Sequence, residues 1–152
     1  MTAAIIAVGG ELREDDGIAI LAARKLSNIF KDTYRFDIID EGLLGFNIFY
    51  YLDRYEKIVI LDAVYFGGQV GEVKLFSIND LESFNEPIIS SHRFGIADIL
   101  RIVKFYEIKS EIHIIGIQPF SVRCKMGLSK KLELKFQNIL LDTSRIINNI
   151  IT

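Results

Sequence analysis

The sequence predicts an α/β fold with a mostly parallel central sheet and helices on both of its faces. Short apolar runs alternate with longer amphipathic stretches along the chain, in the order β-α-β-α-β-β-α-β-α. This alternation is typical of parallel strands joined by crossover helices. Several runs are apolar without a break, as expected for strands covered on both sides. A length of 152 residues fits one domain, which we expect to span residues 1–152.

The first half of the chain supplies two strands and two helices. In order, they are a strand over 3–8, a helix from Asp15 to about Ile29, a strand over 36–40 and a short helix over 44–53. The first strand is an unbroken apolar run that stops at Gly9 and Gly10. The first helix is predicted by apolar side chains at helical spacing, with Asp15 or Asp16 as its cap.

The second half begins with an unbroken apolar strand that stops at an acid, Asp62. In order, the predicted elements are a strand over 58–62, a strand over 72–76, a helix over 92–106, a strand over 112–117 and a closing helix over 129–150. The segment 72–76 alternates apolar and polar residues, so we expect it at an edge of the sheet. Pro119 ends the last strand because it cannot donate to a ladder.

The composition excludes several classes of function. A net charge of −2 and an isoelectric point near 5.7 argue against a surface for nucleic acid. The one cysteine, Cys124, excludes an intramolecular disulfide and a cysteine-cluster metal site. No apolar run approaches the roughly 18 residues of a membrane span, and the N-terminus lacks the basic start of a signal peptide. We therefore expect a cytoplasmic protein that does not enter membranes. We also expect it to be a monomer.

Several of the residues that follow the predicted strands are acidic. Open α/β sheets bind ligands beyond the carboxyl ends of their strands, so these residues are candidates for a site. They are the loop 9–17, Asp40-Glu41-Gly42, Asp62, Ser90-Ser91-His92 at the start of a helix, and Gln118-Pro119. The loop 9–17 has two adjacent glycines followed by acids, and the chain contains no P-loop, which argues against a nucleotide.

Asp16, Asp62 and His92 could together bind a divalent metal ion. Carboxylate oxygens and an imidazole nitrogen suit zinc, nickel, iron or manganese, and three ligands leave positions open for another group. Each residue also has a structural interpretation. Asp16, like Asp15, fits a helix cap, Asp62 fits hydrogen bonds to a loop, and His92 fits a cap region. The residues alone leave these alternatives open. Cys124 is expected to fill space rather than to act as a nucleophile.

Five sequence blocks, in order, resemble the hydrogenase maturation endopeptidases. The first is Gly9-Gly10-Glu11-Leu12-Arg13-Glu14-Asp15-Asp16-Gly17, which is similar to the family's loop G-N-x-L-R-x-D-D-G. The others are Asp40-Glu41-Gly42, Asp62-Ala63-Val64 with Gly71-Glu72-Val73, Ser91-His92 with Gly95, Asp98 and Leu100, and Gly116-Ile117-Gln118-Pro119. With the first strand, the resemblance covers residues 3–119, and the closing helix fits in pattern.

The resemblance implies a three-layer α/β/α sandwich, in which we expect one antiparallel edge strand. It implies an endopeptidase that removes a C-terminal extension from the nickel-loaded precursor of a nickel–iron hydrogenase large subunit. The family's metal ligands map onto Asp16, Asp62 and His92, and an acid implicated in substrate handling maps onto Asp40. We therefore expect Asp16, Asp62 and Asp40 to take part in catalysis. Gly10 stands where the family usually has Asn, and this departure bears on substrate preference.

Two mechanisms and two other functions remain open at this point. The three residues recognise nickel already present in the precursor, or the protein carries its own zinc or other divalent metal with Asp40 or Glu41 as general base. The resemblance favours nickel supplied by the precursor. In a different class of function, the protein holds a nickel-loaded partner without cutting it, as a chaperone would. A nucleotide-binding regulator is the third candidate.

Overall fold

The computed structural model describes residues 2–33, 35–42, 47–83, 89–90 and 96–151. The strands in this part of the chain are β1 (Ala3–Val8), β2 (Asp37–Gly42), β3 (Lys57–Tyr65), β4 (Val73–Ser77), β5 (Ile89–Ser90) and β6 (Glu111–Ile117). The helices are α1 (Ile18–Ile29), α2 (Asn47–Leu52), α3 (Ile78–Ser83), α4 (Ile96–Phe105), α5 (Lys130–Glu133) and α6 (Phe136–Ile151), with a 3₁₀ turn at Glu14–Gly17.

The central sheet has the strand order β2-β1-β3-β6-β4, and β5 pairs with the end of β3. The pairs β1–β2, β1–β3 and β3–β6 are parallel. The edge strand β4 runs antiparallel to β6, with Leu75 opposite Ile115. A mostly parallel sheet with an antiparallel edge strand is therefore confirmed, and β1 and β3 lie side by side at its centre.

The sheet separates two apolar layers. On one face, Ile5, Val59 and Leu61 pack with α1 and α6. On the other face, Ile58 and Ile60 pack with residues of α2 and α4. Successive side chains of a strand point to opposite faces, so the unbroken apolar runs of β1 and β3 supply both layers. Three layers are thus confirmed.

The third strand is longer than predicted. The expected strand stopped at Asp62, whereas β3 continues to Tyr65. Its ladder with β6 extends to Ala63 opposite Ile117, and β5 pairs with Val64 and Tyr65. Asp62 therefore lies within a paired strand, and the sequence pattern missed the continuation because an acid interrupts the apolar run.

The closing helix is two helices rather than one. The N–H of Lys135 bonds the carbonyl of Leu132 at 2.9 Å, which tightens the chain between α5 and α6. Leu134, expected on the apolar face of a single helix, is 79% exposed at this break. Gly71 packs closely against the chain at this break, because a Cβ at Gly71 would lie 2.8 Å from the Lys135 Cβ.

The sequence pattern did not predict two short elements between β4 and α4. They are the helix α3 and the strand β5. The predicted starts of the helices at 44 and at 92 lie outside the described residues. None of the helices in the described segments has the length and apolarity needed to cross a membrane.

Candidate functional site

The loop after β1 folds tightly back against the 3₁₀ turn. The N–H of Gly9 donates to the carbonyl of Gly42 at 2.7 Å, which joins this loop to the end of β2. A Cβ on Gly9 would lie 2.1 Å from the carbonyl oxygen of Asp16. Only glycine allows this contact, and the contact brings the 3₁₀ turn over the carboxyl end of β1.

Asp16 is fully buried in the 3₁₀ turn, above the end of β1. Its Oδ2 accepts a hydrogen bond from the N–H of Gly10 at 2.9 Å. The N-cap residue of α1 is Gly17, and no side chain caps the helix there. The expectation that Asp15 or Asp16 caps α1 is therefore wrong, because both carboxylates bond to groups outside the helix.

Asp15 joins the turn to the loop that follows β6, which we call the 119–129 loop (residues 119–129). Its Oδ2 accepts from the N–H groups of Phe120 and Ser121 at 2.8 and 2.9 Å. The N–H of Ser129 donates to Oδ1 at 2.6 Å and its hydroxyl to Oδ2 at 2.7 Å. Hydrogen bonds to a buried carboxylate are among the stronger ones in proteins, so Asp15 fixes the loop against the turn.

Glu14 and Leu12 add further contacts between the same two segments. Backbone bonds join Glu14 N to Lys125 O at 2.7 Å and Lys125 N to Leu12 O at 3.1 Å. Glu14 has a φ of 51° and a buried side chain whose Oε2 lies 3.6 Å from the Arg123 Nε. A hydrogen bond with Ser121, helped by the charge of Arg123, holds the pKa of Glu14 below its ordinary value.

Asp62 lies in the neighbouring strand β3, which continues past it to Tyr65. Its Cα pairs with Gly116 of β6, and its side chain is 3% exposed. Ala7 pairs with Leu61, so Asp62 lies level with the last residue of β1. Asp62 is therefore level with the end of β1, over which Asp16 lies, but it is within β3 and not at the strand end that the sequence predicts.

Tyr65, at the end of β3, lies beside the acidic turn and was not predicted as a site residue. Burial and the negative charge of Asp15 raise the pKa of its hydroxyl, so the phenol stays protonated at neutral pH and can donate a hydrogen bond. Gln118 was placed at a strand end, but its role was not predicted. Its Oε1 accepts from the N–H groups of Phe66 and Gly68 at 2.9 and 3.2 Å, which fixes the chain beyond β3.

Asp40 and Glu41, at the end of β2, are more exposed. Asp40 Oδ2 lies 3.4 Å from Arg24 Nη2, and the Nη1 of the same arginine lies 2.5 Å from Glu11. The carboxylate of Glu41 accepts hydrogen bonds from the Asn47 amide and the Tyr51 hydroxyl. Glu41 is therefore fixed to α2, whereas Asp40 is held by an exposed arginine.

The third predicted metal ligand, His92, lies outside the described residues. Within the described segments, no three acidic, histidine or cysteine side chains gather in a geometry that could hold a metal ion. The contribution of His92 to a site with Asp16 and Asp62 thus stays a prediction. The chemistry of the two buried carboxylates fits it, because carboxylate oxygen is a donor for divalent cations.

A sequence model described as hydrogenase maturation protease matches residues 20–142. This range includes Asp40, Asp62 and position 92, and begins after Asp16. Among individual proteins, a putative hydrogenase maturation protease of Methanocaldococcus jannaschii is 28% identical over 123 residues, 76% of this chain and 70% of that protein. The hydrogenase expression/formation protein HupD of Rhizobium leguminosarum is 20% identical over 78% of this chain. The chain spans 59% of the length of that relative.

Solved structures show the same fold. The [NiFe] hydrogenase maturation protease HybD from Thermococcus kodakarensis has a TM-score of 0.74 and 28% identity, over 96% of this chain and 99% of that one. The hydrogenase maturating endopeptidase HybD from E. coli has a TM-score of 0.77 over 98% of this chain and 93% of that one. At 20% identity, the second comparison concerns the fold alone.

Proposed function

This chain belongs to the hydrogenase maturation protease family, and from that premise we propose that it is an endopeptidase acting on the large-subunit precursor of a nickel–iron hydrogenase. In this proposal, it removes a C-terminal extension once nickel has been inserted. The observation that carries the proposal is the buried Asp16 carboxylate, fixed over the end of β1 and one strand away from the buried Asp62.

Asp16 and Asp62, with His92, recognise the nickel that the precursor presents. The N–H of Gly10 orients one oxygen of Asp16, and pairing of β3 with both neighbouring strands fixes the backbone of Asp62. Two carboxylates held in this way lose little conformational freedom when they bind a cation. Nickel coordinated beside the scissile bond would polarise its carbonyl or activate a water molecule.

Asp40 takes part by holding the substrate chain near the cleavage site. Its half-exposed carboxylate lies at the neighbouring strand end, open to a bound peptide, and forms an ion pair with Arg24. Glu41 is less suited to serve as a general base, because the Asn47 amide and the Tyr51 hydroxyl already bond its carboxylate. This difference supports Asp40 over Glu41 for direct contact with the substrate.

The experiment is the intact mass of a nickel-loaded large-subunit precursor after incubation with this protein. We expect the wild type to release a C-terminal peptide when nickel is present. We expect Asp16→Asn, Asp62→Asn and His92→Ala to cleave at least about 100-fold more slowly, the scale seen when one electrostatic contact to a reacting group is removed. Cleavage by a chelator-treated protein would support nickel supplied by the precursor over a resident zinc ion.

Two variants serve as controls. Asp142→Asn removes an acid that pairs with Arg145 at 3.4 Å on α6. His113→Gln removes the chain's other histidine, whose Nε2 bonds Glu111 at the opposite end of the sheet from the acids. Both should cleave at the wild-type rate. Equal rates for Asp16→Asn and Asp142→Asn would contradict the metal-recognition proposal. A precursor that binds and keeps its full mass would instead favour a chaperone-like function.

A further inference from the structure

The surface beside the candidate site combines exposed apolar side chains with positive charge. Residues 119–131 include Arg123, Lys125, Lys130 and Lys131 and no acidic residue, in a chain whose net charge is −2. All four cations are exposed. A segment with four cations and no acid favours a ligand with negative charge.

Three large apolar side chains are exposed within the same surface. Leu12 is 65% exposed and Met126 is 76% exposed, and Phe120 lies beneath Lys131, whose Nζ is 4.2 Å from the ring centroid. The segments that carry Leu12 and Met126 lie side by side, because the backbone of Lys125 bonds both Leu12 and Glu14. We call Leu12, Phe120, Lys125, Met126 and Lys131 the basic platform.

The basic platform is held in place by buried contacts. Phe120 is fixed through its N–H bond to Asp15, and Lys125 through two backbone bonds to the first loop. A group of exposed apolar side chains rimmed by polar residues commonly marks a surface that another molecule covers. Because the loop that bears Leu12 also bears Asp16, a molecule bound here would be positioned relative to the candidate site.

We infer that the basic platform docks an acidic, partly apolar segment of the precursor that adjoins its cleavage site. This inference rests on the proposed function and adds the chemistry of the docked segment. Carboxylates of the segment pair with Lys125 and Lys131, while its apolar side chains cover Leu12, Phe120 and Met126. Charge complementarity of this kind raises the rate of association and fixes the orientation of the bound chain.

The first test uses Cys124, which is exposed between Arg123 and Lys125 and is the chain's one cysteine. Its exposure shows that the expectation of a space-filling residue was wrong, and it makes the thiol a reporter of what covers the loop. We expect the nickel-loaded precursor to slow alkylation of Cys124 by N-ethylmaleimide at least fivefold. Alkylation that proceeds unchanged while the precursor is bound would overturn the inference. This readout needs binding and no cleavage.

The second test compares two pairs of substitutions in the mass-based cleavage assay. Lys131→Glu with Met126→Ser alters two exposed side chains of the basic platform and leaves Lys125, whose charge acts on the buried Glu14 carboxylate, unchanged. Lys104→Glu with Phe105→Ser makes the same changes of charge and polarity at the end of α4, where Phe105 is 80% exposed. We expect the platform pair to raise KM about tenfold with kcat within about twofold, and to weaken the effect of added salt on KM. The α4 pair should match the wild type.

The outcomes separate the inference from the proposed function. A wild type that cleaves, together with a platform pair whose KM is unchanged, overturns the docking surface and leaves the endopeptidase in place. A wild type that protects Cys124 by binding the precursor and does not cleave it overturns the proposed activity and supports the docking surface. Arg123 and Lys125 are kept unchanged in both tests because the charges of both act on the buried Glu14 carboxylate.

Discussion

Two pairs of adjacent acids follow neighbouring strands, and they differ in almost every physical respect. Asp15 and Asp16, after β1, are fully buried, and backbone N–H groups donate to both carboxylates. Asp40 and Glu41, at the end of β2, are partly exposed and are held by side chains of Arg24, Asn47 and Tyr51. The same residue types are therefore held rigidly by the backbone after β1 and more loosely by side chains at the end of β2.

The difference in donors explains the difference in rigidity. A backbone N–H has a fixed position once its strand or turn has formed, so a carboxylate that accepts from several of them has one geometry. An arginine or asparagine side chain keeps rotamer freedom, and solvent screens its charge. We therefore expect substitutions in the buried pair to affect folding or catalysis strongly, and substitutions in the exposed pair to have graded effects.

The largest effect on stability is expected at Asp15. In Asp15→Asn, one acceptor oxygen and one NH₂ group would face donors from Phe120, Ser121 and Ser129 that now bond a carboxylate. We expect a loss of about 3 kcal/mol in the free energy of unfolding, the scale for breaking a buried charged network. Urea denaturation measures it, with Asp142→Asn as the exposed control. A loss below about 1 kcal/mol would show that Asp15 contributes no more to the free energy of unfolding than a surface acid does.

An intermediate effect is expected at Asp40. Asp40→Asn should leave the free energy of unfolding within about 0.5 kcal/mol of the wild type, because its ion pair with Arg24 is exposed. Cleavage should slow about tenfold if Asp40 contacts the substrate chain. Arg24→Gln should have a smaller effect in the same direction, since it loosens Asp40 without removing it. If both variants cleave at the wild-type rate, Asp40 has no role in catalysis, and the buried acids alone contribute.

The smallest effect is expected at Tyr51. Burial, together with its hydrogen bond to Glu41, raises the pKa of Tyr51 to about 12. Since the folded pKa lies above the ordinary value of 10, this interaction stabilises the fold below pH 10 and is lost as the pH rises toward 12. The difference in melting temperature between wild type and Tyr51→Phe should therefore narrow from pH 10 to 12. Tyr50→Phe, on the exposed neighbouring ring, is the control and should show no such narrowing.

Several features of the fold follow from local pattern. The unbroken apolar runs of β1 and β3 predict buried parallel strands, and the alternation at 72–76 predicts the edge strand β4. These predictions succeed because burial on one or both faces constrains the residue type at each position. The continuation of β3 past Asp62 could not be predicted, because its partners β5 and β6 come from distant parts of the chain.

The sequence alone determined that acids gather where parallel strands end, since topology brings the carboxyl ends of β1, β2 and β3 to one edge. It also determined the family, through motifs that lie in order along the chain. Only the tertiary structure decided what each acid does. Asp15 became an anchor because the 119–129 loop, more than 100 residues away, brings its N–H groups to that carboxylate. Hydrogen-bond partners so far apart in sequence leave no local pattern. Whether a carboxylate accepts buried backbone hydrogen bonds, contacts exposed side chains or binds a metal ion therefore depends on the tertiary structure around it.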